Sequence, residues 1–383
     1  MNKKIKLKIA FLGGGINSAV GRTHYIAINM DNRYELVSGC FSRNSEINIA
    51  TAEEYNVSLD RVYANLDELI TNEKEKIDAI CILTPTPNHK NEVIKCVENN
   101  IAVICEKALA VSSEEGLEIK KTLEQFNGFL AVTYNYTGYP MVRELRRMIR
   151  ENHFGKIEQI HIEMPQEGFS RLDKHNNPQR PQEWRLHDGN LPTISLDLGV
   201  HLHHLIDFLT GEKPIELSAV HNHFGSFKEI IDNIICIANY TKGISCNIWY
   251  SKAALGYRNG LRIRLYGETG SAEWFQMDPE ILQINDNKGH RQMIDRATIE
   301  VRLPSELRYN RFKSGHPAGY IEAFANHYCD IADALSAYKH NKETLFNEYV
   351  FGITQALEGL VTLEAITEAA KTKSWVSTQM IKE

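Results

Sequence analysis

The stretch that decides the fold is Ile9-Ala-Phe-Leu-Gly-Gly-Gly15, near the start of this 383-residue chain. Its four apolar residues predict a short strand, and its glycines predict a tight turn before a helix. Gly13 and Gly15 let the backbone come close to a pyrophosphate and point helix N-terminal amides at it. Ser18 replaces the third glycine of the usual Gly-x-Gly-x-x-Gly spacing, although Gly21 follows. The stretch therefore predicts a dinucleotide site, with a simple glycine turn as the alternative.

Strands and helices alternate through the first third of the chain. Apolar runs predict further strands at residues 36–41, 79–83, 102–105 and 129–132. Other stretches predict helices at residues 19–30, 66–69, 88–99 and 112–126. Uninterrupted apolar strands between amphipathic helices are typical of a parallel sheet covered on both faces, so the pattern predicts a doubly wound α/β domain. Ligands of such a domain bind beyond the C-terminal ends of its strands.

The pattern changes after about residue 155. Strands are predicted at residues 157–164, 215–224, 230–240, 244–252, 261–266 and 272–276, and helices at 192–209, 317–338 and 348–371. Alternating side chains at residues 246–251 suit an antiparallel sheet with two different faces. We predict a Rossmann domain at residues 1–135 and, at 136–383, an α+β substrate and oligomerisation domain with a large, mostly antiparallel open sheet. An alternative is that the C-terminal helices pack back on the Rossmann domain.

Composition excludes several classes of protein. Asp and Glu number 49 against 43 Lys and Arg, giving a net charge of -6, whereas nucleic-acid binders usually carry a basic excess. No run approaches the ~18 apolar residues of a membrane span, and no apolar stretch near the N-terminus resembles an export signal. The seven cysteines are odd in number and include no Cys-x-x-Cys pair, which favours free thiols. We therefore expect a cytoplasmic protein that binds neither nucleic acid nor membrane.

The end of the second predicted strand bears on the choice of dinucleotide. A carboxylate there would bond the ribose hydroxyls of NAD, but the sequence has Phe41-Ser42-Arg43. Without a carboxylate nothing repels a 2′-phosphate, and Ser42 and Arg43 could hydrogen-bond one. The segment favours NADP over NAD. The alternative is that Arg43 is only a solvated loop residue.

Two further groups could carry acid–base chemistry. Lys107 follows the strand at 102–105, which places it over the ligand crevice, where its ammonium could polarise a hydroxyl or carbonyl. Asp197 and His201 are four residues apart in a predicted helix and share a face, which suits a carboxylate-tuned imidazole base. The alternatives are a surface lysine and a purely structural Asp–His pair. A metal bound by Asp197, His201 and His204 is conceivable, but no metal site is predicted.

Together these segments resemble the glucose–fructose oxidoreductase/inositol dehydrogenase (Gfo/Idh/MocA) family over nearly the whole chain. The motifs that carry the resemblance are Gly13-x-Gly15, Thr84-Pro85-x-x-Asn88-His89, Glu106-Lys107, Tyr134-Asn135, Trp184-Arg185 and Asp197-x-x-x-His201. The resemblance implies that Lys107 is the catalytic lysine, Asp197 the orienting carboxylate and His201 the general acid/base. A dinucleotide site is implied at Gly13, Gly15, Ile16, Asn17, Ser42, Arg43, Thr84, Pro85, Asn88, His89, Glu106 and Asn135. Substrate contacts are implied at Tyr134, Trp184 and Arg185, in addition to Lys107, Asp197 and His201.

The chain departs from the family pattern next to the lysine. The family's motif reads Glu-Lys-Pro, with a proline that is often cis, whereas Ala108 follows Lys107 here. The peptide that holds Lys107 is therefore less restrained. The segment before Asp197 also lacks the family's usual run of glycines. The residue types expected to act in catalysis are intact.

We expect an NAD(P)-dependent dehydrogenase that transfers a hydride between the nicotinamide and a secondary alcohol of a sugar, sugar derivative or cyclitol. An NAD-dependent glycosidase or lyase that oxidises a sugar transiently would use the same residues and is an alternative. A non-catalytic dinucleotide-binding sensor is a third alternative, and it would not require Lys107, Asp197 and His201 together.

The strands between residues 230 and 266 carry apolar residues at more positions than one buried face requires. These are Ile231, Ile234, Ile235, Ile237, Ile248, Trp249, Tyr250, Ile263 and Leu265. One face should pack on the domain's own helices, and the other would expose a larger apolar patch than monomers usually tolerate. Two-fold pairing of sheets buries such a patch, so we expect a homodimer or homotetramer, which the family resemblance also implies. A monomer whose C-terminal helices cover the second face is the alternative.

Overall fold

The computed structural model describes residues 6–340 and 347–378, which form two compact units. The first unit comprises Met1–Gly138 and Tyr320–Leu357, and the second comprises Tyr139–Gly319 and Glu358–Glu383. The sequence placed residues 136–383 in one domain, with the alternative that the C-terminal helices pack back on the other. In the structure two segments from that range, residues 136–138 and Tyr320–Leu357, belong to the first unit.

In the described part of the chain, a five-stranded parallel sheet forms the centre of the first unit. Its strands are β1 (Leu7–Gly13), β2 (Tyr34–Cys40), β3 (Ala79–Leu83), β4 (Ala102–Cys105) and β5 (Leu130–Val132), in the order β2-β1-β3-β4-β5. All neighbouring strands run parallel. Every residue of β3, β4 and β5 is buried, as in strands covered by helices on both faces. The predicted Rossmann sheet is confirmed.

Helices connect these strands. They are α1 (Gly21–Met30), α2 (Ser45–Glu54), α3 (Leu66–Glu73), α4 (Thr86–Glu98) and α5 (Ser113–Phe126). Three of them begin at a side-chain cap, because Asn44, Asn65 and Ser112 each accept the N–H of the residue three positions further on. Helix α1 begins two residues later than the sequence predicts.

In the same described residues, a nine-stranded sheet forms most of the second unit. Its strands are β6 (Ile157–Pro165), β7 (Pro214–Asn222), β8 (Asn233–Tyr240), β9 (Ile244–Ser251), β10 (Arg262–Gly267), β11 (Gly270–Phe275), β12 (Leu282–Asp286), β13 (Arg291–Ile294) and β14 (Val376–Ser377). Their order is β13-β12-β11-β10-β6-β9-β8-β7-β14. Strands β6 and β9 pair in parallel, and the other neighbours are antiparallel. The predicted mostly antiparallel sheet is confirmed, although β12, β13 and β14 were not predicted.

The two faces of the large sheet differ, as the alternation of its side chains predicts. In β8, Ile234, Cys236 and Ala238 are at most 1% exposed, whereas Ile235 and Ile237 are 49% and 47% exposed. One face therefore forms a core of the second unit, and the other presents apolar side chains.

The remaining helices are α6 (Pro140–Arg150), α7 (Val200–Thr210), α8 (Tyr320–Lys339) and α9 (Ile353–Thr372). Helix α8 belongs to the first unit, because Phe324, Tyr328, Ile331 and Leu335 share one hydrophobic core with the side chains of β1. This helix, which follows the first segment of the second unit in the chain, completes the core of the first unit. Among the described residues, no helix is both long and apolar enough to cross a membrane.

Candidate active site

The turn after β1 is shaped by glycines. Gly13 and Gly14 have φ angles of 80° and 74°, which residues with a side chain rarely adopt. A Cβ atom on Gly13 would also lie 2.9 Å from the carbonyl carbon of Leu83. The Gly15 N–H donates to the Phe41 carbonyl oxygen over 3.1 Å, which holds the turn against the end of β2. A turn without side chains lets a pyrophosphate approach the backbone, so this geometry fits a dinucleotide.

Gly21, at the start of α1, packs on the same turn. A Cβ atom on Gly21 would lie 2.0 Å from the Gly14 carbonyl oxygen, so a larger residue would break this contact. The Ser18 hydroxyl accepts the Gly21 N–H over 3.3 Å. Gly21 therefore provides the close helix packing that the third glycine of a dinucleotide-binding turn provides. The usual spacing put that glycine at position 18, and the longer loop also explains why α1 begins late.

Four predicted cofactor contacts lie on the loops after β1 and β2. Ile16 and Asn17 are exposed beside the glycine turn, Ser42 is partly exposed and Arg43 is exposed. The Ser42 hydroxyl accepts the Asn44 N–H over 3.1 Å, which leaves its own proton to donate. These side chains can therefore reach a ligand.

The Glu92 carboxyl, which belongs to none of the predicted motifs, interacts electrostatically with Arg43. Glu92 of α4 accepts a hydrogen bond from the Thr84 hydroxyl. Burial raises the pKa of Glu92 to about 7, against the opposing effects of Thr84 and of the Arg43 charge. The expected preference for NADP depended on the absence of a carboxylate at the end of β2, where the sequence has Phe41-Ser42-Arg43. Glu92 comes from α4, after β3, where no sequence pattern marked it, and its carboxyl interacts with the Arg43 charge.

His89 connects the loops that follow β3 and β4. Its ring is buried, with Nδ1 2.8 Å from the Ala108 carbonyl oxygen and Nε2 2.8 Å from the Thr84 carbonyl oxygen. Burial lowers the pKa of His89, against the effect of these two hydrogen bonds. A neutral ring donates to only one of the two carbonyls. Pro85 is the N-cap residue of α4 and Asn88 lies in its first turn, and both are partly exposed.

Glu106 and Lys107 follow directly after β4. The Glu106 carboxylate is buried and accepts hydrogen bonds from His24 Nε2, at 3.0 Å, and from the Thr133 hydroxyl. Burial alone would raise the pKa of Glu106, but these bonds and the charges of His24 and Lys107 lower it to about 2. The peptide bond between Lys107 and Ala108 is cis, although residue 108 is not proline. The backbone form that the family's proline favours is thus present here with alanine.

Tyr134 and Asn135 follow β5 and are buried. The Tyr134 ring contacts the Phe351 ring edge to face, with 6.0 Å between centroids. Within residues 6–340 and 347–378, the Asn135 Nδ2 atom has no hydrogen-bond partner. A buried amide donor without a partner is costly unless a ligand or water accepts from it. Asn135 therefore fits the predicted cofactor contact.

In the second unit, Asp197 lies in a π-helical turn, Ser195–Gly199, that leads into α7. The Val200 N–H donates to the Ser195 carbonyl oxygen, five residues back. The sequence predicted a regular α-helix that brings Asp197 and His201 onto one face. Instead the wider π turn carries Asp197, and α7 carries His201. Such turns occur frequently at functional sites.

Two cations hold the Asp197 carboxylate. Arg185 Nη1 and Lys252 Nζ both form ion pairs with its Oδ2 atom. The Arg185 guanidinium also lies 4.5 Å from the centre of the Trp184 ring, and Lys252 Nζ lies 5.2 Å from that of Phe169. The structure thus brings together Trp184, Arg185 and Asp197, which the sequence singled out separately. It adds Lys252, which belongs to no motif and was missed.

Helix α7 carries three buried histidines, His201, His203 and His204. Burial lowers the pKa of His203 to about 4, so its ring is neutral near pH 7. The part of the chain that the structure describes contains no group of three or more His, Cys, Asp or Glu side chains arranged to hold a metal ion.

Comparison with known proteins agrees with this geometry. Residues 7–134 match a family described as oxidoreductases with an NAD-binding Rossmann fold, and residues 142–273 match the GFO/IDH/MocA C-terminal domain. The chain is 28% identical to YfiI, an uncharacterized oxidoreductase of Bacillus subtilis, over 97% of this chain and 96% of that protein. It is 24% identical to glucose-6-phosphate 3-dehydrogenase of the same organism, over 73% and 77%.

Solved structures show the same similarity. An inositol dehydrogenase homologue from Azotobacter vinelandii, complexed with NADH and myo-inositol, is 25% identical and superposes with a TM-score of 0.89. The match covers 97% of this chain and 97% of that one.

Proposed function

The chain belongs to the GFO/IDH/MocA family of NAD-binding oxidoreductases, and from that premise we propose that it oxidises or forms a secondary alcohol of a sugar, sugar derivative or cyclitol. The observation that carries the proposal is the Glu106–Lys107 turn at the C-terminal end of β4, in a sheet whose first turn is shaped for a pyrophosphate. Ligands of parallel sheets bind at this edge. The similarity to a glucose-6-phosphate 3-dehydrogenase and to a homologue solved with myo-inositol supports the substrate class.

In this proposal the chain's own side chains handle charge and protons. The nicotinamide, when bound, supplies the hydride chemistry. The Lys107 ammonium stabilises the negative charge that develops on the substrate oxygen. The His201 imidazole takes the hydroxyl proton, and Asp197, fixed by Arg185 and Lys252, orients the reacting groups.

The test incubates the protein with NAD or NADP and a panel of polyols, follows formation of the reduced dinucleotide, and compares wild type with Lys107→Ala and His201→Ala. We expect each variant to lose ~10²–10⁴-fold in turnover, because general acid–base groups contribute that much. Affinity for NADH should remain near the wild-type value. Near-normal turnover of His201→Ala would remove the histidine from the mechanism. Glycoside cleavage without net NADH formation would favour transient oxidation instead.

We further propose that Ser42 and Arg43 bind a 2′-phosphate and so favour NADP over NAD. The exposure of Arg43 supports this preference, and the nearby Glu92 carboxyl opposes it when ionised. Arg43→Ala should then weaken NADPH binding about 10- to 100-fold, the value of a charge-assisted hydrogen bond, and leave NADH binding nearly unchanged. Equal losses for both cofactors would show that Arg43 does not bind the phosphate.

We also propose that two copies of the chain associate through the exposed face of the large sheet. Of the apolar positions that suggested this, Ile234, Ile248, Tyr250, Ile263 and Leu265 are buried in the chain's own core. Ile235 and Ile237 remain nearly half exposed and keep the opposite face apolar. Light scattering at micromolar concentration should give at least twice the mass of one chain. The variant Ile237→Lys should shift the mass towards one chain, and a wild-type monomer would refute the proposal.

A further inference from the structure

A buried chain of polar side chains crosses the first unit and ends at Glu106. The Cys81 Sγ atom lies 3.2 Å from the Tyr328 hydroxyl oxygen, which lies 2.6 Å from His24 Nδ1. His24 Nε2 in turn lies 3.0 Å from Glu106 Oε1. All four side chains are buried, and the Thr133 hydroxyl donates to the same carboxylate oxygen. This hydrogen-bonded series of side chains joins β3, α8, α1 and the ends of β4 and β5.

The chemistry of the groups decides the hydrogen bond at Glu106. The ionised Glu106 carboxylate only accepts, so the His24 ring carries a proton on Nε2 and donates it. Burial raises the pKa of Tyr328 well above its ordinary value and that of Cys81 to about 12, so both remain protonated. The Tyr328 hydroxyl can donate to one neighbour and accept from the other, so it serves as the partner of both His24 Nδ1 and Cys81 Sγ.

The residues on either side of Lys107 are fixed by two different histidines. The Glu106 backbone N–H donates to the Ile82 carbonyl oxygen over 2.9 Å, and the Glu106 carboxylate is held by His24. On the other side, His89 Nδ1 lies 2.8 Å from the Ala108 carbonyl oxygen. Lys107 therefore extends from a turn whose flanking residues are anchored to α1 and α4.

We propose that His24 and Tyr328 are positioning residues for the Lys107 ammonium and act on it through the Glu106 carboxylate. This inference rests on the proposed catalytic role of Lys107. The Tyr328 hydroxyl fixes the ring of His24, because an imidazole without a hydrogen-bond partner at Nδ1 would keep an unpaired buried nitrogen unless it turned. A turned ring no longer donates to Glu106. Helix α8, which lies between the two segments of the second unit in the chain, thereby takes part in catalysis without touching the substrate.

Tyr34 provides a matched control. Its hydroxyl is buried in the same core and donates to the Tyr328 backbone carbonyl oxygen over 2.8 Å. Tyr34 does not belong to the hydrogen-bonded series of side chains that ends at Glu106. Tyr34→Phe and Tyr328→Phe each remove one buried phenolic hydroxyl and its hydrogen bond. A purely structural role for Tyr328 predicts similar effects of the two substitutions on stability and on turnover.

The first experiment measures kcat, KM and the Kd of NADH for both variants. We expect Tyr328→Phe to lower kcat about 10- to 100-fold, as small misplacements of a reacting group do, while KM and Kd change less than about twofold. Tyr34→Phe should keep kcat within about twofold of wild type. Thr133→Val should lower kcat and Thr133→Ser, which keeps the hydroxyl, should restore it. Equal kcat values for Tyr328→Phe and Tyr34→Phe would overturn the inference.

A second measurement needs no substrate. Trace acetylation of the folded protein with acetic anhydride, followed by peptide mass spectrometry, reports the reactivity of the Lys107 amine. We expect Lys107 to react at least about threefold faster in Tyr328→Phe than in Tyr34→Phe, since a turn that is less fixed exposes the amine to the reagent more often. Unchanged reactivity would refute the positioning role. If reactivity changes but Lys107→Ala keeps full turnover, the proposed function fails and the structural link between Tyr328 and Lys107 stands.

Discussion

Replacing Lys252 with methionine tests how the Asp197 carboxylate is held. Lys252 and Arg185 contact the same oxygen, and the side chains of Lys252 and Asp197 are only 11% and 12% exposed. Removing one partner from a buried ion pair costs ~3–5 kcal/mol when the other charge is left alone. Arg185 still neutralises Asp197 in this variant. We therefore expect a smaller loss, about 1–3 kcal/mol in the free energy of unfolding of the second unit.

Tryptophan fluorescence suits this measurement, because all four tryptophans of the chain lie in the second unit. They are Trp184, Trp249, Trp274 and Trp375. Urea unfolding of Lys252→Met, Asp197→Asn and the double variant gives a double-mutant cycle, in which we expect a coupling free energy of at least ~1 kcal/mol. Lys242→Met, in an ion pair whose lysine is 75% exposed, is the control and should cost less than ~1 kcal/mol. Additive effects of Lys252→Met and Asp197→Asn within ~0.5 kcal/mol would refute the reasoning.

Two further predictions concern the first unit. Its Glu92 carboxyl, with a pKa of about 7, takes up a proton on folding, so wild type loses stability as pH rises from about 4.5 to 7. Glu92→Gln should lack this loss and gain ~1–2 kcal/mol on wild type between pH 5 and pH 8, after allowance for its partial exposure. Far-UV circular dichroism in urea measures this, and an equal difference at both pH values would contradict it. Gly21→Ala should cost about 3 kcal/mol or more and weaken NADH binding, because its Cβ would overlap the Gly14 carbonyl. Gly168→Ala, whose Cβ meets nothing within 4 Å, should be nearly neutral, and similar losses in both variants would disprove the packing argument.

Elements with uninterrupted apolar residues could be predicted from the sequence almost residue by residue. Strands β3 and β4 are examples, because burial on both faces leaves no place for polar residues. Helix α2 was missed because its buried face includes Asn48 and Thr51, which no apolar period reveals. Asn48 is buried although its side chain is polar, because its Oδ1 atom accepts the Phe41 N–H over 2.7 Å.

Some residues of the candidate site could be predicted from the local sequence, and others could not. Glu106 and Lys107 are adjacent in the chain and follow a predicted strand, so local sequence was enough to single them out. Tertiary structure alone brings Lys252 to Asp197, which lies 55 residues earlier in the chain. It also brings Glu92 within reach of the Arg43 charge. The π turn at Asp197 also packs closely on a distant residue, since a Cβ on Gly199 would lie 2.9 Å from the Tyr250 ring. Sequence spacing alone gives a regular helix there.

The position of α8 in the chain has a consequence for protein synthesis. The 181 residues of Tyr139–Gly319 must leave the ribosome before α8 can emerge. At roughly 5–20 residues per second this takes about 10–40 s. Throughout that interval Ile9 and Phe11 of β1 lack their partners Phe324 and Tyr328, and His24 lacks the hydroxyl that orients it. The core of the nascent first unit is therefore incomplete throughout that interval, and the second unit waits longer still, because its last segment, Glu358–Glu383, follows α8 in the chain.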